Sequence, residues 1–464
     1  MSEPLWTAEE IVRATGGRGE GAACTGVTFD SREVEAGDLF VALQGVRDGH
    51  DFVAGAFGQG ASCALVSREI GGGPQVVTPD TLKALEALAV FSRERASAKR
   101  AAVTGSVGKT STTRAIHAAL KLAGRSHASV KSFNNHIGVP LTLARMPRDT
   151  ERAVFEIGMN HAGEIGPLSR LVQPDVALVT TVGPVHTENF SDGETGVAHA
   201  KAEIFEGLKP GGVAVLNTDN RWFDLLAAEA LRAGARIVTF GGGDKADARL
   251  DGFQPAEGRA EVSATLHGRP ITFPLLQTGL HWGLNSLSVL LVLEALDVPL
   301  ETGLEALSGF APIEGRGAER SIRLNGGAIR LVDESYNANP ISMAAALASL
   351  GRRDTGRGRK VAALTDMLEL GPEAQQFHAS LAEPIAAAAV DLVFCAGPHM
   401  RALWDSLPAS RQGAYAPSAA ELAPLLVEAV RPGDVVMVKG SNGSKASTLA
   451  AALVQAGSAG PESA

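Results

Sequence analysis

Cysteine is nearly absent from this chain, with Cys24, Cys63 and Cys395 the only three in 464 residues. They are too far apart for a disulfide framework or a closely spaced zinc site, which fits a reducing compartment. Aromatics are also scarce, at 5%, while alanine, glycine and short aliphatics dominate. Such a composition suits helices packed closely on a parallel sheet better than an aromatic-rich β-sandwich. Long hydrophobic runs are missing: the most apolar stretch, residues 289–293, stops at Glu294, far short of a membrane span. The N-terminal residues 1–17 carry Glu3, Glu9 and Glu10 and no cationic start before an apolar segment, so no secretory signal is expected. Positive charge is not in excess either. With a formal net charge of -9 and scattered acids, no basic stripe exists to track a phosphate backbone. These absences argue against membrane and nucleic-acid partners and point to a cytoplasmic protein.

What is present is ample core material, 45% hydrophobic against 20% charged residues. A chain of 464 residues exceeds one hydrophobic core, since domains hold roughly 100–200 residues, and three domains are expected. Residues 1–97 mix short strand-like runs (38–43, 62–67, 75–78) with glycine turns and end in a helix over 81–98, which reads as a small α/β domain. Residues 98–310 alternate strand and helix, with strands at 101–104, 153–158, 176–181, 212–217 and 236–240. That alternation predicts a parallel sheet covered on both faces. The segment 244–274 breaks it with period-two alternation over 260–266, predicting antiparallel strands at the sheet edge, and a helix over 285–296 follows. Residues 311–464 return to a doubly wound, Rossmann-like pattern, with strands at 329–333, 360–364, 391–396 and 434–438. A Gly/Ser/Pro tail after Ala456 is expected to fray. The fold class is therefore α/β: a small N-terminal substrate domain, a central P-loop sheet and a C-terminal Rossmann-like domain.

The chemistry begins at Thr104-Gly-Ser-Val-Gly-Lys-Thr-Ser, where an apolar strand meets a glycine turn and a helix. Backbone N–H groups of Gly105, Ser106, Val107 and Gly108 and the open helix end at Lys109, Thr110 and Ser111 can surround polyphosphate oxygens. Lys109 adds a charge and the Thr110 hydroxyl can bind Mg2+. The usual first glycine of a P-loop is Val103 here, and Gly105 makes the turn. The motif alone leaves ATP and GTP open; the lack of an Asn-Lys-x-Asp segment favours ATP. Glu156 ends a strand at the sheet edge where ligands of open α/β sheets collect, and can hold a metal. His186 follows the next strand, and a loop histidine by itself is usually solvated. Lys201 lies in a helical segment, where spacing alone reads as a solvated lysine.

Together the motifs resemble the Mur ligase family nearly end to end. They are Asp30-Ser-Arg and Gly37-Asp-Leu-Phe-Val-Ala-Leu; the phosphate loop, Asn134-Asn-His-Ile-Gly-Val-Pro, Glu156-Ile-Gly-Met-Asn-His-Ala-Gly-Glu-Ile and Ala200-Lys-Ala-Glu-Ile-Phe; and Asp333-Glu-Ser-Tyr-Asn-Ala-Asn-Pro, Asp366-Met-Leu-Glu-Leu-Gly and Val438-Lys-Gly-Ser. The Asn-Asn-x-Ile-Gly-Val-Pro and Ser-Tyr-Asn-Ala-Asn segments resemble the members that add a dipeptide more than those that add single amino acids. The N-terminal Asp-Ser-Arg domain argues against folylpolyglutamate synthase. The resemblance implies a monomer that joins D-alanyl-D-alanine to UDP-N-acetylmuramoyl-tripeptide with ATP, through an acyl phosphate. It implies that Lys109 and Thr110 bind phosphates and Mg2+, that Glu156 and His186 serve the metal, and that Lys201 is carbamylated and supports Mg2+. It further implies adenine contacts at His281 and Asn285, a γ-phosphate contact from Arg316, nucleotide contacts from Asp333, Glu334, Tyr336 and Asn337, and substrate contacts from Ser31, Arg32, Asn134 and Asn135. Many members have His-Asn where this chain has His281-Trp282, and Thr365 replaces a glycine before Asp-Met.

Overall fold

The computed structural model describes residues 4–129, 133–256, 258–324 and 326–458. Among them the strands form three sheets. The first holds β1 (Arg18–Glu20), β2 (Gly26–Thr28), β3 (Asp38–Val41), β4 (Cys63–Val66) and β5 (Gln75–Val77) in the order β1-β5-β4-β3-β2. All its pairs are parallel except β1 with β5. The helix Thr81–Arg95 closes this region, started by Asp80, whose carboxylate accepts from the N–H groups of Leu82 and Lys83. Trp6, Leu39, Leu65 and Leu85 form its core together with Leu141 and Ala144, so this sheet shares its interior with the next segment of chain.

The second sheet contains β6 (Lys99–Thr104), β7 (Ser126–Ala128), β8 (Arg152–Glu156), β9 (Val176–Val179), β10 (Val213–Asn217), β11 (Arg236–Gly241), β12 (Ala248–Ala256), β13 (Arg259–Leu266) and β14 (Arg269–Leu275). Its order is β14-β13-β12-β11-β10-β9-β6-β8-β7. The pairs from β7 to β12 are parallel, and β12-β13-β14 are antiparallel at the edge, as the change of period predicts. Apolar residues cover both faces. Val103, Ile116, Leu178 and Leu287 lie on one side, and Phe155, Ile157, Val197 and Phe205 on the other.

The third sheet has β15 (Ala318–Leu324), β16 (Gly327–Glu334), β17 (Lys360–Thr365), β18 (Leu392–Ala396), β19 (Gln412–Ala416) and β20 (Val435–Lys439), ordered β15-β16-β20-β17-β18-β19. It is parallel apart from β15. The helix Pro340–Gly351 leaves the end of β16 through a capping box, in which the Asn339 side chain accepts from Ser342 N–H and the Ser342 side chain bonds back, with Pro340 in the first turn.

Two expectations need amendment. The edge strands β1, β2, β7, β15 and β19 are additional to the predicted set. The C-terminal helix Ser447–Ser458 carries the chain through Ala456 and Gly457, so the tail begins later than its composition suggests, and the rest of that reading lies outside the described residues. All three cysteines are buried free thiols. No helix among the described residues is long and apolar enough to cross a membrane.

Candidate active site

The phosphate loop leaves the C-terminal end of β6 and enters the helix Lys109–Ala123. Gly105 has φ +145°, and a Cβ there would stand 2.0 Å from Thr180 Oγ1, so only glycine permits the close approach. The Thr180 hydroxyl donates to Val107 O at 2.6 Å, tying the loop to the end of β9. Ser106 fixes the other side: its N–H donates to Thr181 O, and its hydroxyl lies 3.1 Å from Gly183 O and 3.0 Å from Gly183 N. Gly108, at φ +90°, faces Asn285, whose amide nitrogen would lie 3.3 Å from a Cβ at that position. The loop is thus held open by bonds to neighbouring strands, and the orphan N–H groups of the helix start remain for an anion.

Lys109 folds back across the loop, its ammonium donating to Gly105 O at 2.7 Å. Burial pushes its pKa down, Glu156 pulls it up and Arg316 pushes it down again. Glu156, 2% exposed at the end of β8, accepts from Asn134 Nδ2 at 2.7 Å. Lys201, in the helix Glu194–Ala202, is 2% exposed, which overturns the reading of a solvated lysine. Among the described residues its amine has no hydrogen-bond or ion-pair partner, and burial beside Lys109 pushes its pKa well below the usual lysine value. His186, at φ +60°, sits close to both lysines; burial and those charges push its pKa down to about 4. Its Nδ1 is 2.7 Å from Glu369 Oε2, without the alignment of a hydrogen bond.

The segment beyond the central sheet reaches into the same place. Arg316 donates from Nη2 to Thr110 Oγ1 at 3.2 Å, and its guanidinium lies 4.0 Å from the Tyr336 ring centroid. Asp333 ends its strand by accepting from Ser335 N–H at 3.0 Å. Glu334 is 3.5 Å from Lys439 Nζ, which also donates to Asn337 O at 3.0 Å. Burial pushes the His281 pKa down, Glu334 pulls it up and Lys439 pushes it down again. The structure therefore gathers the loop, Glu156, His186, Lys201, His281, Asn285, Arg316 and the Asp333 to Asn337 segment.

Ser31 and Arg32 stand apart, in a short turn of the first sheet started by Asp30. Arg32 is exposed and paired with Asp30, with Nε to Oδ1 at 2.9 Å and Nη2 to Oδ2 at 2.6 Å. With Phe29, Phe133 and Arg145 it lines a cavity of about 180 Å3, and Ser31 does not line it. Phe133, on the wall of this cavity, immediately precedes in sequence the Asn134 that holds Glu156. Asn135 caps its own turn, accepting from Gly138 N–H at 2.9 Å. Two residues that meet the candidate site residues escaped the sequence reading. Lys439 and Glu369 both sit in quoted motifs, but only folding shows that they point at Glu334 and His186.

Among the described residues no group of three or more His, Cys, Asp or Glu forms a metal cage. One anchored carboxylate beside a threonine hydroxyl and a phosphate loop is instead the donor set that Mg2+ takes when substrate phosphates and water complete its shell. Three family models match the chain: "Mur ligase family, catalytic domain" over residues 23–93, "Mur ligase middle domain" over 103–293 and "Mur ligase, glutamate ligase domain" over 320–442. The UDP-N-acetylmuramoyl-tripeptide–D-alanyl-D-alanine ligase of Rickettsia prowazekii is 32% identical over 428 residues, covering 91% of this chain and 93% of that protein. The Bacillus subtilis enzyme of the same name is 34% identical, covering 93% of each. Among solved structures, MurF from Acinetobacter baumannii superposes with a TM-score of 0.86 at 29% identity, over 98% of this chain and 99% of that one. MurF of Thermotoga maritima in complex with ADP does so with 0.79 at 25%, over 93% and 97%.

Proposed function

Since this chain belongs to the Mur ligase family, we propose that it joins D-alanyl-D-alanine to UDP-N-acetylmuramoyl-tripeptide at the expense of ATP, yielding the pentapeptide precursor of peptidoglycan. The observation that carries this reading is the convergence of Thr110, Glu156, Lys201 and Arg316 on one phosphate loop. We divide the chain into residues 1–97 for the sugar nucleotide, 98–310 for ATP and 311–464 for closing the site. We take it to act as a monomer in the cytoplasm, where ATP and a nucleotide-linked precursor are both available.

A carboxylate does not acylate an amine at neutral pH. The tripeptide carboxylate therefore attacks the γ-phosphorus of ATP, the bond to the β-phosphate oxygen breaks, and an acyl phosphate and ADP result. The amine of D-alanyl-D-alanine then attacks the acyl carbon, and the tetrahedral intermediate expels inorganic phosphate as the amide forms. Lys109 and the loop N–H groups bind the phosphates, and Arg316 meets the charge that spreads over the transferring group. Mg2+, when bound, neutralises phosphate charge as a Lewis acid, and Thr110, Glu156, His186 and Lys201 are the residues suited to hold it. Asn134 acts by holding Glu156 in place rather than by touching substrate. Lys201 serves as a carbamate. Its depressed pKa leaves a neutral amine whose lone pair attacks CO2, a proton is released, and a buried neutral group becomes an anion facing Lys109. His281 and Asn285 border the adenine, with Asp333, Glu334, Tyr336 and Asn337 on the ribose side.

The test is ADP release by the purified protein with Mg-ATP and UDP-N-acetylmuramoyl-tripeptide, with the amine varied. Turnover that requires D-alanyl-D-alanine and gives a pentapeptide product supports the reading. Turnover with a single amino acid instead keeps the ligase and overturns the substrate.

A further inference from the structure

A cavity of about 310 Å3 lies between β12 of the central sheet and the helix Pro340–Gly351 of the third, and no residue assigned above to ATP, metal or substrate lines it. One wall is apolar, formed by Phe253, Pro255 and Leu280. The other carries Arg330 from β16 and Arg352 and Arg353 just beyond the helix. Arg353 is partly committed, donating from Nη1 to Glu319 Oε1 at 2.7 Å and from Nη2 to Thr278 Oγ1 at 3.0 Å. Its side chain is only 10% exposed, and its Nε is buried with no acceptor. Among the described residues the guanidinium groups of Arg330 and Arg352 have no hydrogen-bond or ion-pair partner. Asp354, also on the wall, turns to its own loop and accepts from Gly356 N–H at 2.8 Å.

A helix C-terminus favours nearby cations, which is reason enough for arginine at 352 and 353. It does not explain Arg330, which comes from a strand and lines the same cavity with a guanidinium that no described residue pairs. Glu319 offsets one guanidinium and Asp354 another, so the wall stays positive. Planar guanidinium forks match oxyanions two bonds at a time, and the volume is that of a small-molecule site. We propose that this cavity binds a small oxyanion of two or more negative charges, a phosphate compound or a polycarboxylate, held by the guanidinium groups of Arg330 and Arg352 with its remainder against Phe253 and Pro255. Its occupant touches both the central and the third sheet and therefore favours the arrangement in which the two meet.

The experiment is calorimetric titration of the full chain, first saturated with ADP to fill the phosphate loop, with pyrophosphate and separately with citrate. Binding of at least one probe is expected, weakened about tenfold for each guanidinium removed in Arg330→Gln and in Arg330→Gln/Arg352→Gln, with ADP affinity unchanged. Preference for pyrophosphate identifies a phosphate ligand, and preference for citrate a carboxylate one. The single variant keeps the test decisive if the double variant does not fold. Absence of binding by either probe, or equal binding by wild type and variants, overturns the proposal. Failure of ADP to bind would instead count against the ligase reading, since the difference between wild type and variant still reports on this cavity alone.

Discussion

Replacing Arg316 by alanine separates charge stabilisation from packing at the site. Two contacts are lost: the stack on Tyr336, at 4.0 Å, and the hydrogen bond donated to Thr110 Oγ1, at 3.2 Å. Tyr336 is 39% exposed, so the cation–π contact contributes about 0.5–1 kcal/mol, a few-fold effect in affinity. A preorganised donor facing charge that develops in the transition state contributes about 2.7–4 kcal/mol, or roughly 100- to 1000-fold in rate. The second effect dominates. Arg316→Ala should therefore lower kcat for ADP release by about 100- to 1000-fold and change KM for ATP only a few-fold. Arg316→Lys keeps a charge without the planar fork and should fall in between. The reasoning is refuted if Arg316→Ala keeps kcat within a few-fold of wild type, or if its whole defect appears in KM.

Other consequences are open to measurement. Activity should fall in CO2-depleted buffer and return with bicarbonate, whereas Lys201→Ala should be inactive in both; equal rates with and without CO2 would remove the carbamate from the account. Gly105→Ala puts a Cβ 2.0 Å from Thr180 Oγ1 at φ +145°, and should abolish nucleotide binding and cost about 1–3 kcal/mol of stability by chemical denaturation. His117, His127 and His186 each have a pKa lowered to about 4, chiefly by burial, so below the unfolded value of 6.5 the unfolded chain binds the more protons. Stability should therefore fall as pH drops from about 6.5 toward 4, by on the order of 1–2 kcal/mol for the partly accessible His127 alone, and His127→Gln should flatten that slope.

The central sheet was legible because its parallel strands are short apolar runs between helices, and the phosphate loop because Gly-Lys-Thr at a strand-to-helix join needs few other residues to be recognised. The antiparallel edge showed itself in the alternation of residues 260–266, realised in β13, where Ala260, Val262, Ala264 and Leu266 are buried. What escaped has physical reasons. β15 reads Ala-Glu-Arg-Ser-Ile-Arg-Leu, a half-solvated edge with only Ile322 buried, and β7 spans three residues. The burial of Lys201 is set by the sheet and loops around its helix rather than by its neighbours in sequence, so spacing pointed to solvent. Contacts between distant segments, such as Glu369 with His186, Lys439 with Glu334 and the arginines around the second cavity, depend on how the sheets meet, and no local pattern encodes that.

The most direct test of ligation through an acyl phosphate follows oxygen. UDP-N-acetylmuramoyl-tripeptide labelled with 18O in its terminal carboxylate is turned over with ATP and D-alanyl-D-alanine, and the released phosphate and nucleotide are analysed by mass. The account predicts one labelled oxygen transferred to inorganic phosphate and none to ADP. Unlabelled phosphate, or label recovered in AMP, would contradict it.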